Sequence, residues 1–237
     1  MRTVLDASGI SLPGRLQETT IALRAGELTC LVGPNGSGKT SLLHALAGIG
    51  RSPGHVTIDG VDPATLAPAE RQRAFAYLPP SRDINWPLFA EDVVALGCAS
   101  PKERARIPQL LAELELTGFS GRRIDQMSTG ERSRVLIARA LIARPKVLLL
   151  DEPAANLDPL WQLRLMDYLR KTAAENGQAL LVAVHDLELA RNYADRLIIM
   201  NGGRIEADGE PLALLRGPDI PRVFGIEEVE GRWRPVA

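Results

Sequence analysis

Hydrophobic positions along the chain fall into two alternating patterns. An apolar strand pattern at 27–32 and continuous apolar runs at 147–150 and 179–184 are each followed by apolar residues at helical spacing, at 39–47, 159–174 and 187–194. Runs that are apolar at nearly every position are typical of strands buried on both faces. Because these strands alternate with helices, the pattern predicts an α/β fold with a parallel sheet covered on both sides.

The middle of the chain has a different pattern from its two ends. Strand signals fade after residue 80 and return only near residue 145. Helical spacing dominates in between, at 91–97, 101–116 and 131–143. The sequence therefore predicts a group of helices inserted into the α/β unit.

Shorter signals complete the prediction. Strands are expected at 56–58 and 75–78, with a short helix at 68–74 between them. A run at 196–200 before Asn201-Gly202-Gly203 predicts a closing hairpin. The segment 218–237 is punctuated by proline and glycine and carries no clear element signal.

Composition narrows the class of protein. The 237 residues are 45% hydrophobic and 24% charged, which is ordinary globular usage and fits one or two domains. The net charge of -1 and the 4% aromatic content argue against a nucleic-acid partner. Two cysteines cannot form a disulfide framework, and no apolar run approaches the roughly 18 residues of a membrane span. With no signal-peptide pattern at residues 1–6, these features predict a soluble, cytoplasmic protein.

A phosphate-binding loop is predicted between the first clear strand and its helix. The spacing Gly33-x4-Gly38-Lys39-Thr40 lets backbone N–H groups surround phosphates, and the following helix directs its positive dipole end toward them. Lys39 would reach the β- and γ-phosphates, and the Thr40 hydroxyl would bind Mg²⁺. A glycine-rich turn without a ligand is the structural alternative. The predicted phosphate-binding residues are Gly33, Pro34, Asn35, Gly36, Ser37, Gly38, Lys39, Thr40 and Ser41.

An acidic pair follows the apolar run at 147–150. Asp151 and Glu152 stand at the carboxyl end of a predicted central strand, which is where open α/β sheets bind ligands. Asp151 would hold Mg²⁺, and Glu152 would polarise the attacking water. A strand followed by a charged helix cap is the alternative, which the phosphate loop upstream makes the weaker one.

With these motifs in place, the chain resembles the ATPase subunits of ATP-binding cassette (ABC) transporters over about residues 20–210. Three further motifs follow in the family's order: a signature-like segment Met127-Ser128-Thr129-Gly130-Glu131, a D-loop-like segment Asn156-Leu157-Asp158, and His185 in the place of the switch histidine. Taken singly, Ser128 and Asp158 read as helix caps and His185 as an ordinary surface residue. The ordered set is far more specific than any one motif.

The resemblance implies a fold and an assembly. It implies a RecA-like P-loop NTPase core at 1–80 and 145–217, a helical subdomain at 81–144 and a C-terminal tail at 218–237. Two copies would close head to tail around two ATP molecules and Mg²⁺. The implied catalytic residues are Glu152 and His185, the metal ligands Thr40 and Asp151, and the additional nucleotide contacts Ser128, Gly130, Glu131 and Asp158, with Ser128 and Gly130 reaching the ATP of the second copy.

The resemblance also implies a transport role. The runs 84–88 and 92–97 are similar to ATPases of importers for iron-siderophore complexes, haem and cobalamin. The implied partners are transmembrane permease subunits and a periplasmic substrate-binding protein, and the implied location is the cytoplasmic face of the inner membrane. The alternatives are an exporter ATPase, a soluble ABC ATPase acting outside transport, and a non-hydrolysing regulatory nucleotide binder.

The chain departs from the family pattern at three places. Thr129 replaces the first glycine of the signature motif, and the segment 9–13 lacks the aromatic residue on which the family stacks adenine, so that aliphatic side chains are expected to contact the base. Pro80 stands where the family has a glutamine that binds Mg²⁺ through its side-chain oxygen. Proline has neither a side-chain oxygen nor a backbone N–H and cannot make that contact.

If the site lacks this ligand, Pro80→Gln should raise ATP hydrolysis several-fold, because a fixed amide oxygen is better preorganised than a loosely held water by about 1–3 kcal/mol. Ser81→Ala should then change the rate little. If the Ser81 hydroxyl substitutes instead, Ser81→Ala should lower the rate and Pro80→Gln should gain nothing. Phosphate release measured for both variants separates the two cases, and rates unaffected by either change would show that neither residue serves the metal.

Overall fold

A six-stranded sheet, parallel except at one edge, forms the centre of the structure. This computed structural model describes residues 2–81 and 87–236. The strands, in chain order, are β1 (Thr3–Leu12), β2 (Leu16–Arg24), β3 (Leu28–Val32), β4 (His55–Ile58), β5 (Phe75–Leu78), β6 (Val147–Asp151), β7 (Ala179–Ala183), β8 (Arg196–Asn201), β9 (Arg204–Gly209), β10 (Ile226–Val229) and β11 (Arg232–Pro235).

The order of the strands places the phosphate-binding segment at the middle of the sheet. The order is β5-β6-β7-β3-β8-β9, and only the last pair is antiparallel. β3 lies between β7 and β8, and all residues of β3, β6 and β7 are buried. The segments that follow β3, β6 and β7 therefore leave the same edge of the sheet side by side, where open α/β sheets bind ligands.

Helices cover the sheet and fill the segment between β5 and β6. In chain order they are α1 (Lys39–Leu46), α2 (Pro68–Ala74), α3 (Ala90–Ala95), α4 (Pro101–Arg104), α5 (Ile107–Glu113), α6 (Thr129–Leu141), α7 (Pro159–Asn176), α8 (Leu187–Tyr193), α9 (Pro211–Leu215) and α10 (Asp219–Phe224). Within the described residues, no helix is both long enough and apolar enough to cross a membrane.

The core consists of two clusters, one on each face of the central sheet. Along β6 the side chains alternate, so that Leu148 and Leu150 pack with the helices of the middle segment and with α7. Val147 and Leu149 pack on the other face with α1 and the strands β1, β2 and β4. Period-two alternation thus lets the four apolar residues of β6 serve both clusters.

A second, antiparallel sheet lies beyond α1, with the order β2-β1-β4. Helix α1 contacts both β1 and β6 and is therefore held between the two sheets. Its buried side chains are apolar except at its first residue, Lys39. The helix that follows the phosphate-binding segment is consequently fixed from both sides.

The predicted α/β pattern and inserted helices are confirmed, with four differences, one of which is that helix α9 was not predicted. The strands β1 and β2 were not predicted, and the 218–237 segment contains α10 and the hairpin β10–β11. The predicted helix at 101–116 is wrong as a single element, because it divides into α4 and α5. Pro108 has no N–H to donate to an earlier turn, and it lies instead in the first turn of α5.

Candidate active site

A cavity of about 640 Å³ opens at the edge of the sheet where β3 ends. It is bounded by the phosphate-binding segment, the residues after β6 and β7, the β1–β2 turn and the β8–β9 turn. Its lining residues are Gly14, Arg15, Leu16, Gln17, Asn35, Gly36, Ser37, Gly38, Lys39, Thr40, Ser41, Glu152, His185, Gly202 and Gly203.

Lys39 is the most deeply buried charged residue that lines this cavity, with 6% of its surface exposed. Its Nζ donates to the carbonyl oxygens of Gly33 at 2.7 Å and Pro34 at 3.3 Å. Burial lowers the pKa of Lys39, whereas the nearby carboxylates of Glu152 and Asp151 oppose that shift. An ammonium group held by carbonyls in a half-open cavity can bind an anion of high charge.

The start of α1 opens onto the same cavity. Its N-cap residue is Gly38, at φ 103°, which has no side chain to occupy the N–H groups of the first helical turn. Those N–H groups and the helix dipole favour negative charge at this end. The predicted phosphate-binding residues 35–41 all line the cavity. Gly33 and Pro34 are not in the lining, but their carbonyl oxygens accept hydrogen bonds from Lys39.

Asp151 lies at the end of β6 and is completely buried. Burial raises its pKa, and a hydrogen bond from the Thr40 side chain acts in the opposite direction. A carboxylate and a hydroxyl are the hard oxygen ligands that Mg²⁺ prefers, so the donor set fits that ion. The two predicted metal ligands are thus brought together by the structure.

Glu152 and His185 are brought together at the rim of the cavity. The His185 Nε2 and the Glu152 Oε1 are in direct hydrogen-bond contact. Glu152 adopts φ 51°, a left-handed conformation, and its N–H donates to the Ala183 carbonyl at 3.1 Å. The side chains are 28% and 46% exposed, respectively, so both remain accessible to water and to a ligand in the cavity.

The four other predicted nucleotide contacts lie outside this cavity. Ser128 caps α6 by accepting from the Glu131 N–H at 3.2 Å, and Glu131 accepts from the Ser128 N–H at 2.7 Å. Gly130 lies beside the Asn156 carbonyl, and Asp158 caps α7. The signature-like and D-loop-like segments therefore form one separate surface of the chain.

Sequence reasoning missed two walls of the cavity. The β1–β2 turn and the first two residues of β2 contribute Gly14–Gln17, and the β8–β9 turn contributes Gly202 and Gly203. The Gln17 N–H donates to the Gly203 carbonyl at 2.7 Å, and the Gly203 N–H donates to the Ser37 carbonyl at 2.9 Å. The Pro13-Gly14 dipeptide was a turn signal that could have located the first wall, but its contact with the phosphate-binding segment depends on tertiary packing.

Pro80 and Ser81 follow β5, are exposed, and do not line the cavity. The segment 9–13, which lacks the family's aromatic residue, also stays outside the lining, whereas the residues just after it, 14–17, belong to the lining. Of the importer-like run at 84–88, Ile84, Asn85 and Trp86 lie outside the described residues.

Comparison with known proteins agrees with this geometry. The family model described as ABC transporter matches residues 16–155. The chain belongs to the ABC transporter family. The chain is 40% identical over 240 residues to the hemin import ATP-binding protein HmuV of Rhizobium meliloti (strain 1021), covering 94% of this chain and 91% of that protein. It is 33% identical over 223 residues to the petrobactin import ATP-binding protein FpuC of Bacillus anthracis, covering 90% and 82%.

Solved structures of ABC cassettes share the fold. An ATP-binding subunit of an ABC transporter matches with a TM-score of 0.79 and 28% identity, over 94% of this chain and 93% of that one. A dimeric ATP-binding cassette in a post-hydrolysis state, bound to ADP and Pi, matches with a TM-score of 0.77 and 25% identity, over 87% and 98%. This ABC protein is therefore an ATPase with a RecA-like P-loop fold, as the motifs predicted.

We expect Gly203→Ala to destabilise this ABC ATPase by about 1–3 kcal/mol more than Gly202→Ala. Both glycines adopt positive φ and share the backbone cost, but a Cβ on Gly203 would lie 2.9 Å from the Arg15 carbonyl oxygen. A Cβ on Gly202 meets no described atom within 4 Å. Urea unfolding of the two variants measures the difference, and equal midpoints would contradict a close approach between the two turns.

Proposed function

We propose that this ATPase energises import of haem or another iron complex through a transmembrane permease. The observation that carries the proposal is the pairing of a buried lysine with the Glu152–His185 contact in one cavity of an ABC cassette. Relatives named for hemin and petrobactin import, matched over most of both chains, support the cargo class. They favour haem and iron complexes over cobalamin, the third cargo that the sequence suggests.

In the proposed site, the phosphates of ATP lie on the start of α1 with Lys39 at the β- and γ-phosphates. Thr40 and Asp151 would hold Mg²⁺, which supplies charge neutralisation of the phosphates when bound. The Thr40 hydroxyl lies close enough to Asp151 to act against the rise in its pKa that burial causes. Burial of Asp151 also makes its carboxylate costly without a cation, which favours metal binding there.

Glu152 is proposed to polarise the water that attacks the γ-phosphate. Its backbone N–H donates to the Ala183 carbonyl of the neighbouring strand, so the position from which the Glu152 side chain extends is fixed. His185 is proposed to sense the γ-phosphate and to orient the Glu152 carboxylate through their contact. Because both side chains lie at the rim, they can reach a group that is seated on the phosphate-binding segment.

Two copies are proposed to close head to tail around two ATP molecules. Ser128, Gly130, Glu131 and Asp158 do not line the cavity of their own chain. They can contact nucleotide if the surface they form is presented to the cavity of a second copy. The dimeric cassette bound to ADP and Pi, a structural neighbour, supports this arrangement.

The same proposal divides the chain into a nucleotide-binding core at 1–80 and 145–217, a helical subdomain at 81–144 and a C-terminal tail at 218–237. The helical segment between β5 and β6 would contact permease subunits on the cytoplasmic face of the membrane, and a periplasmic binding protein would deliver the cargo.

An exporter ATPase is disfavoured by relatives named for import. A non-transport ATPase is disfavoured by the same names, and a non-hydrolysing binder by the presence of Glu152 and His185 together at the cavity.

Glu152→Gln should abolish most ATP turnover while preserving ATP binding, because the amide keeps the shape of the side chain but cannot polarise water as a carboxylate does. With hydrolysis blocked, size-exclusion chromatography with ATP and Mg²⁺ should show a shift from monomer to dimer. Glu175→Gln, on the exposed face of α7, is the control for removing one negative charge. If Glu152→Gln hydrolyses ATP at the wild-type rate, Glu152 is not the residue that polarises the attacking water.

The cargo is tested by uptake in cells from which the gene has been deleted. Uptake of labelled haem or of a ferric complex should be lost, should return with the wild-type gene, and should not return with Glu152→Gln. Cobalamin uptake in the same cells is the control. Loss of cobalamin uptake with normal iron uptake would contradict the proposed cargo, and unchanged uptake of all three would contradict an import role for these compounds.

A further inference from the structure

The C-terminal hairpin presents a defined face to the rest of the chain. Its two turn residues, Glu230 and Gly231, both have positive φ, at 51° and 74°, which matches the twist of a tight two-residue hairpin. In the register of β10 and β11, Glu228 lies directly opposite Trp233. Paired residues project from the same face of a two-stranded sheet, so these two side chains act together.

That face is bound to α8. The Arg191 guanidinium donates to both carboxylate oxygens of Glu228, at 3.0 and 2.7 Å, and lies 5.3 Å from the centre of the Trp233 ring. The Trp233 Nε1 donates to the Glu188 carboxylate at 2.9 Å. With side-chain exposures of 19% and 21%, Arg191 and Glu228 form a two-point, charge-assisted contact that is partly shielded from water.

The helix held by this face begins immediately after the switch-histidine position. Asp186 caps α8 by accepting from the N–H groups of Glu188 at 2.7 Å and Leu189 at 3.4 Å. His185 precedes this cap, and its Nε2 contacts Glu152. Glu188 therefore links the cap of α8 to the hairpin, because its backbone N–H donates to Asp186 and its side chain accepts from Trp233.

We propose that the C-terminal hairpin positions His185 through α8, with Arg191, Glu228 and Trp233 as positioning residues. The proposal rests on the roles proposed above for Glu152 and His185. No residue of the hairpin is among the described residues that line the cavity, and α8 is the element that links the hairpin to His185. Helix α8 has only seven residues, and its inner face is buried by Leu187, Leu189 and Ala190. The hairpin contacts the opposite, polar face and limits how the short helix can shift or rotate.

The test compares Arg191→Ala and Trp233→Phe with two controls. Trp233→Phe keeps an aromatic ring but removes the N–H bound to Glu188. Arg222→Ala removes an arginine of the same C-terminal region whose ion-pair partners, Glu206 and Asp219, both lie outside α8. Arg234→Ala removes an exposed arginine from the hairpin itself. For each variant the turnover number, the Kd of ATP in the absence of Mg²⁺ and the thermal midpoint are measured.

We expect turnover to fall roughly three- to tenfold in Arg191→Ala and Trp233→Phe, since small displacements of a catalytic group are costly, with the Kd of ATP changed less than about twofold. Both controls should keep turnover and Kd. Unchanged turnover in the two test variants, an equal fall in Arg222→Ala, or a Kd that rises as much as turnover falls would each overturn the proposal. Should Arg191→Ala fail to fold, Glu228→Gln, which keeps the shape of the side chain, replaces it under the same criteria.

A separate variant keeps this test distinct from the proposed function. If His185→Ala retains full turnover, the role of His185 fails, and the positioning proposal fails with it. If His185→Ala is inactive while Arg191→Ala and Trp233→Phe turn over at the wild-type rate, only the positioning role of the hairpin is excluded.

Discussion

The burial of charge at the end of the central strands is the constraint on which the rest of the structure depends. A lysine with 6% exposure and a fully buried aspartate lie within one site, and each is costly to remove from water alone. The protein offsets this cost locally, with carbonyls of Gly33 and Pro34 on the ammonium and the Thr40 hydroxyl on the carboxylate. These local contacts do not neutralise either group. The ammonium can still bind a polyphosphate, and the carboxylate can still bind a cation.

The two-sided core makes such a site possible. Because β3, β6 and β7 are largely apolar and buried on both faces, they can lie at the middle of the sheet with packing above and below. The polar groups of the site are thereby confined to the residues just beyond the strand ends. Helix α1 is held between two sheets, so the loop before it is fixed at both of its ends.

How much could be predicted from the sequence depended on whether the signal was local. Fully apolar strands, the Gly33–Thr40 spacing and the acid pair after β6 are local, and they located the sheet and its functional edge. The β1–β2 strands were missed because their alternation is broken by register shifts near Ala7 and Ile10. The hairpin that binds α8 was missed because Glu228 and Trp233 are meaningful only against Arg191, 37 and 42 positions earlier in the sequence.

The two turns that wall the cavity have a consequence for how the chain acquires its site during synthesis. Gln17 contacts Gly202 and Gly203 across a separation of 185 residues or more, and β3 pairs with β7 and β8, whose register partners are made 152 and 167 residues later. A nascent chain on the ribosome therefore holds a complete phosphate-binding motif long before it holds a cavity. The cavity lacks one of its walls until the β8–β9 turn has emerged, and the early segments must stay free of aggregation until then.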